Sequence, residues 1–179
     1  RAKLLRTLAR PLLKFALGGR NSRLVVQNRD HREQVVREGW VAADAVHLIH
    51  GAGIDLGTYR PANAGDDPPM VILPARLLWE KGVGEFVEAA RRLRASGVAA
   101  RFALVGKPDP ANPASVSDRE VEAWVREGVV EAWGWRDDMT AVLAETQIVC
   151  LPSYHEGLPR SLLEAAASGR AMVATDIPG

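Results

Sequence analysis

Ile148-Val149-Cys150-Leu151-Pro152-Ser153-Tyr154-His155-Glu156-Gly157-Leu158-Pro159-Arg160-Ser161-Leu162-Leu163-Glu164-Ala165-Ala166-Ala167-Ser168-Gly169 reads as a buried strand, a loop and a small-residue helix in succession. Pro159 suits a first helical turn, where its missing N–H costs nothing, and Ser168-Gly169 closes the helix. Glu164 is the anomaly, because an unpaired carboxylate on a tightly packed helix is expensive. It needs hydrogen-bond donors, and the hydroxyls of a ligand would supply them. Glu156 stands at the helix start, beside backbone amides at the positive end of the helix dipole.

Outward from this segment the same alternation repeats. Strands are expected at Met70–Leu73, Phe102–Val105, Val129–Trp133 and Ala171–Ala174, with amphipathic helices near Val83–Ser96, Asp118–Glu127 and Asp138–Glu145. Short apolar strands separated by helices imply a parallel sheet covered on both faces. Ligands of such sheets bind beyond the carboxyl ends of the strands. Arg76, residues 134–138 and Glu156 all follow strand ends, so one crevice is expected to gather them. Arg76 and Lys81 lie five positions apart in one such loop, where both could face an anion, Arg as a fork and Lys as a point charge. The bland reading is two surface bases, one of them paired with Glu80.

The Glu-x7-Glu spacing with Gly157-Leu158-Pro159 after the first Glu resembles the retaining glycosyltransferases of family 4, which have the GT-B fold. Ala75-Arg76-Leu77-Leu78-Trp79-Glu80-Lys81-Gly82 is similar to that family's Arg-x4-Lys diphosphate loop. Gly134-Trp135-Arg136-Asp137-Asp138 is similar to its base-side loop, and Val173-Ala174-Thr175-Asp176-Ile177-Pro178-Gly179 to the strand and turn after the second Glu. The resemblance implies an α/β fold, a Rossmann-like doubly wound parallel sheet forming the donor-binding half of a GT-B enzyme, plus a remnant of the first domain. Residues 1–57 would be the C-terminal part of the acceptor-side domain, 58–69 the linker, and 70–179 a nucleotide-sugar-binding domain cut short at its C-terminus.

By the same resemblance Arg76 and Lys81 hold the diphosphate, Glu156 meets hydroxyls of the donor sugar, and Glu164 meets the ribose. Gly157, Leu158, Arg160 and Ser161 belong to the helix start that cradles phosphate, with Arg160 either adding charge or simply solvated. Arg136 and Asp137 would hold the base edge, or Asp137 would cap the following helix. The implied reaction moves a hexose-type sugar from a UDP-sugar to a lipid-linked or saccharide acceptor in capsular or O-antigen polysaccharide synthesis, at the cytoplasmic face of the membrane. No metal or other cofactor is expected, and the isolated chain is expected to be inactive. The alternatives are a non-catalytic nucleotide-sugar binding module and a GT-B-like epimerase, the latter disfavoured by the paired Glu residues.

Composition sets wider bounds. A hydrophobic fraction of 47% can fill a core, and 25% charged residues fit a soluble protein. The single cysteine, Cys150, excludes an intrachain disulfide, and its apolar setting marks it as core. His31, His47, His50 and His155 show no metal-ligand spacing. Trp133 ends a strand and reads as core rather than as a stacking platform. Gly106-Lys107-Pro108 lacks the frame of a P-loop, and neither a Gly-x-Gly-x-x-Gly turn nor a Gly-x-Ser-x-Gly elbow is present. Net charge is +1, yet residues 1–20 hold six bases and no acid. Interleaved with Leu and Phe, they suit either a domain helix with a solvated basic face or a helix lying on an anionic membrane surface. Nucleic acid is not expected as a partner, because no basic patch with stacking aromatics recurs downstream.

Overall fold

The computed structural model describes residues 2–19, 21–51, 53–63, 65 and 68–177, with side chains from Ala9 onward. Arg1, Arg20, Asp66 and Asp67, and the expected Pro178-Gly179 turn, lie outside the described residues. The chain forms two compact units, one up to Gly53 and one spanning Ile54–Ile177.

The first unit contains helix α1 (Ala2–Leu17), strand β1 (Leu24–Val26), helix α2 (Arg29–Arg37) and strand β2 (Val46–Leu48). β1 and β2 pair in parallel, Leu24 opposite Val46. Asn28 starts α2 by accepting a hydrogen bond from the His31 N–H at 2.8 Å, the local satisfaction a helix start requires. Val26, Val41, Ala45 and Val46 form a small core, joined by Leu17 from the end of α1. Earlier in α1, which contains Pro11, Leu12 and Phe15 are 70% and 89% exposed.

The second unit runs β3 (Met70–Pro74), α3 (Val83–Ala95), β4 (Arg101–Val105), α4 (Asp118–Arg126), β5 (Glu131–Gly134), α5 (Met139–Ala144), β6 (Ile148–Leu151), α6 (Arg160–Ala167) and β7 (Ala171–Ala174). The five strands make one parallel sheet in the order β5-β4-β3-β6-β7. Successive residues of β3 point to opposite faces, as the pleat dictates. Leu73 joins Val83, Phe86, Val87 and Val121 on the side of α3 and α4, while Met70 and Ile72 join Val142, Leu143 and Ala165 on the side of α5 and α6. Both faces are therefore covered, and the doubly wound α/β architecture is the one expected from the alternation of apolar strands and amphipathic helices.

Chain order reverses at β3: the path moves outward through β4 and β5, then returns to β6 on the other flank. A crevice opens at such a switch point beyond the strand ends. Two local details differ from the sequence-based expectation. β5 starts at Glu131 rather than Val129: its ladder with β4 opens at Ala103 opposite Glu131, and Val129 and Val130 pack in the core ahead of it. Pro159 is the cap residue of α6, with extended backbone, and the helix itself begins at Arg160.

Candidate functional site

Four loops at the carboxyl ends of the strands build the site. After β3, the pairing with β4 continues: Ala75 N–H donates to Val105 O and Leu77 N–H to Lys107 O, both at 3.1 Å. Leu77 and Leu78 are buried, which anchors the loop and leaves Arg76 to project from it. A single 3-10 turn, Trp79–Lys81, then carries Lys81 to the start of α3. Gly106 after β4 passes so close that an added Cβ would lie 1.9 Å from the Ala75 carbonyl oxygen. Only glycine permits that approach.

The loop after β6 is tied to the first by Tyr154 N–H donating to Glu80 O at 2.9 Å. This brings Glu156 onto Lys81: Nζ lies 2.8 Å from Oε1, and the two side chains are only 17% and 15% exposed. Lys81 also reaches His155 O at 3.4 Å. Arg76 pairs with Asp109, 3.1 Å away, and keeps more than half of its side chain exposed. Among the described residues the partners of the two bases are thus Asp109 and Glu156, not Glu80.

Glu164 is 7% exposed and projects from the middle of α6, where Arg160 Nε holds its Oε1 at 2.9 Å. One turn separates the two, so the pair is the natural i, i+4 contact of a helix face. Arg76, Gly106, Trp135, Arg136, Ser161 and Glu164 line a cavity of about 160 Å³ between the β3, β4 and β5 loops and α6. Gly157 and Leu158 lie half-buried in the loop between Glu156 and α6. A larger groove, about 620 Å³, borders Phe102 and Trp133, but its charges are already matched, with Arg101 on Glu131 and Arg94 on Gly128 O. Volume alone therefore does not mark the site; the convergence of chemistry does.

In the β5 loop Arg136 grips Asp138 through both carboxylate oxygens, at 2.7 and 2.6 Å. This guanidinium holds the Asp138 carboxyl below the usual carboxylate range. Asp137 accepts from the Trp135 indole N–H at 2.7 Å. The cap position of α5 belongs to Asp138, without a side-chain capping bond, so the capping role considered for Asp137 falls to its neighbour only in backbone terms. Cys150 packs against the core, and burial pushes its thiol up, away from thiolate chemistry. Among the described residues no group of three or more His, Cys, Asp or Glu side chains is placed to hold a metal ion.

The structure thus unites Arg76, Arg136, Ser161 and Glu164 at one cavity and pairs Lys81 with Glu156 between the β3 and β6 loops, outside that lining. One residue beside α6 escaped the sequence reading of roles. Tyr59 packs on the cluster that contains Leu162 and Ala165 of α6, from a stretch with no apolar pattern to signal it, whereas Trp135, part of the expected base-side loop, lines the cavity.

A sheet of this order with its crevice at β3 is one half of a GT-B architecture. Residues 68–179 match the family model of the glycosyl transferases group 1, and the chain belongs to that family. It is 42% identical over 114 residues to the N,N'-diacetylbacillosaminyl-diphospho-undecaprenol alpha-1,3-N-acetylgalactosaminyltransferase of Campylobacter jejuni, covering 64% of this chain and 28% of that protein. The Escherichia coli UDP-Gal:alpha-D-GlcNAc-diphosphoundecaprenol alpha-1,3-galactosyltransferase is 25% identical over 171 residues, 88% of this chain and 43% of that protein. Among solved structures, Anabaena HepE in complex with UDP superposes with a TM-score of 0.77 at 19% identity, over 96% of this chain and 50% of that one. At that identity the likeness concerns the fold. The chain spans less than half the length of these two curated relatives.

Proposed function

We propose that the protein is a retaining glycosyltransferase of family 4, in which this chain supplies the donor-binding half and binds a UDP-linked hexose. The observation that carries the proposal is that Arg76 and Glu164 line one cavity while Lys81, from the same loop as Arg76, pairs with Glu156, although the four come from two separate loops and a helix. The relatives' names support a lipid-linked acceptor and a UDP-linked donor: both name a diphospho-undecaprenol compound, and one also names UDP-Gal.

Breaking the anomeric C–O bond leaves negative charge on the departing phosphate. Fixed positive groups aimed at that oxygen lower the barrier. Arg76 and Lys81 fill this role, and the first N–H groups of α6, which have no intrahelical acceptor, add to it. In the free protein Glu156 neutralises Lys81. When the diphosphate takes over that ammonium, Glu156 is released towards the sugar hydroxyls. Glu164 accepts from the ribose, and Arg136 and Asp137 border the base. No metal is required in this scheme, because Arg76 and Lys81 supply the positive charge.

The acceptor side follows from α1. Leu12, Leu13 and Phe15 are exposed beside Arg10 and Lys14, a pattern that suits contact with anionic lipid at the cytoplasmic face. Among the described residues no helix is long and apolar enough to cross a membrane. Co-sedimentation with anionic vesicles should weaken as salt rises; salt-insensitive binding would remove this contact from the proposal.

The donor reading is tested by calorimetry on the intact protein. UDP should bind more tightly than uridine, and Arg76→Ala should shrink the difference about tenfold, the worth of a charge-assisted contact. Equal affinity of the wild type for UDP and uridine would sink the diphosphate role.

A further inference from the structure

Lys107-Pro108-Asp109-Pro110-Ala111-Asn112-Pro113-Ala114-Ser115-Val116, the stretch after β4, has no P-loop frame, yet it is stitched to the loop that carries Arg76. Trp79 N–H donates to Ala114 O and Val116 N–H to Leu77 O, both at 2.9 Å, and Leu78 bridges Ser115 in antiparallel fashion. Val116 and Leu77 belong to the core, which anchors this seam. Within the stretch, Asp109 N–H donates to Ser115 Oγ at 2.8 Å, and that hydroxyl donates to Val116 O at 2.9 Å. Asn112 closes the turn: its N–H donates to Asp109 O, and its side-chain oxygen accepts from Ala114 N–H at 2.9 Å. Pro108, Pro110 and Pro113 each fix a φ angle, so the backbone around Asp109 has few alternatives.

We propose that Asp109 is a positioning residue: its carboxylate, held by this stitched loop, keeps the Arg76 guanidinium in the orientation that meets a diphosphate. This rests on the reading of Arg76 as a diphosphate contact. Arg76 lines the cavity, while Asp109 stands outside that lining. A long, half-exposed Arg side chain has many open rotamers, and the freedom it loses on ligand binding weakens that binding. A partner that orders it beforehand removes the loss. The rival role for Asp109 is a counter-anion that occupies Arg76 and keeps phosphate away. The geometry speaks against it. Where this chain neutralises an Arg fully, both carboxylate oxygens grip it, as Asp138 grips Arg136 and Glu131 grips Arg101. Arg76 instead gives Asp109 one N–H, from Nη1 to Oδ2 at 3.1 Å. A guanidinium carries five N–H donors, so a single bond to Asp109 sets its direction and leaves the rest of the fork for phosphate oxygens.

The test measures UDP and uridine by calorimetry on the intact protein, using variants that leave the charge at Asp109 in place. Asp109→Glu moves the carboxylate by one methylene, and Ser115→Ala removes the hydroxyl that ties Asp109 down. In Asp109→Glu the preference for UDP over uridine should fall about threefold to tenfold, the worth of one hydrogen bond, while uridine affinity stays unchanged. Ser115→Ala should lower the preference in the same direction. In an Arg76→Ala background Asp109→Glu should change it no further, because Asp109 acts through Arg76. An undiminished preference in both single variants, an equal loss for both ligands, or the same loss with and without Arg76 would overturn the proposal. A wild type that binds UDP and uridine equally would instead remove the diphosphate role of Arg76, and the role of Asp109 with it.

Discussion

Lys81 Nζ sits 2.8 Å from Glu156 Oε1, and the two residues are 75 positions apart in the chain. With side chains 17% and 15% exposed, neither charge is well solvated, so each depends on the other. Arg76 and Asp109 make the opposite kind of pair, open to water at 56% and 32%. A ligand phosphate would find Arg76 readily available, whereas Lys81 has to exchange one anion for another.

This coupling sets the first expectation. Lys81→Met and Glu156→Gln should each destabilise the chain by about 1–3 kcal/mol, because each strands a half-buried partner. The double variant should recover part of that loss, with a coupling of about 0.5–3 kcal/mol in a double-mutant cycle followed by urea unfolding. Strict additivity would mean that the pair contributes nothing as a pair.

The two carboxylates should separate in kinetics. On the proposed roles, Glu164→Gln in the intact protein should raise the Kd for UDP about tenfold and change kcat little, since a ribose contact would be the same in ground and transition states. On the same proposal Glu156→Gln should lower kcat about tenfold to a hundredfold, since its proposed contact is with the reacting sugar. Steady-state kinetics with calorimetry read both, and unchanged constants in both variants would return these residues to structural roles.

The parts of this site that were legible in the sequence are those encoded locally. Glu164 stood out because the helix around it is apolar, and Arg76 and Lys81 because they follow a strand end. Pairing across the fold was not legible. Nothing near Lys81 names Glu156 as its partner, and Glu80, the nearest acid in sequence, instead offers its backbone carbonyl to Tyr154. Tyr59 was hidden for a different reason: a strap held through the carbonyls of Ala62 and Gly65 leaves no side-chain periodicity to read. The start of β5 was missed because Val129 and Val130 are as apolar as a strand, yet they pack in the core ahead of a ladder that opens only at Glu131.

Acid should expose a separate device at the sheet edge. Arg101 grips Glu131 through both oxygens at 2.8 Å, and Trp133 Nε1 donates to the same carboxylate at 2.9 Å. The Arg101 bond, ahead of the opposing effect of burial, holds the Glu131 carboxyl below its ordinary value. A lowered folded value means that the stabilisation is present above the unfolded carboxyl value of about 4.3 and is lost as pH falls through the folded value. With both side chains more than a third exposed, the contribution is discounted to about 0.5–1 kcal/mol. Glu131→Gln should therefore differ from wild type by that amount in urea unfolding at pH 7 and converge with it in acid below about pH 4. A gap that stays constant with pH would assign the effect to packing instead of charge.

Gly82 joins the Lys81 turn to α3 and ties this turn to the β6 loop. Its φ is +73°, and an added Cβ would lie 2.2 Å from the Pro152 carbonyl oxygen, a backbone atom that cannot swing aside. Gly97 has a similar φ, +82°, but open space around the same position. Gly97→Ala should therefore show only the conformational cost of left-handed backbone, about 1 kcal/mol. Gly82→Ala should exceed that by a further 1–3 kcal/mol or so, as overpacking does. The larger difference should be functional. To relieve the clash, the Pro152 carbonyl must withdraw, which loosens the bond from Tyr154 N–H to Glu80 O and with it the seating of Lys81 on Glu156. UDP affinity should then fall in Gly82→Ala and hold in Gly97→Ala, measured side by side with thermal unfolding. Equal loss of stability in the two variants, with UDP binding intact in both, would show that the two loops are not held in register by this contact.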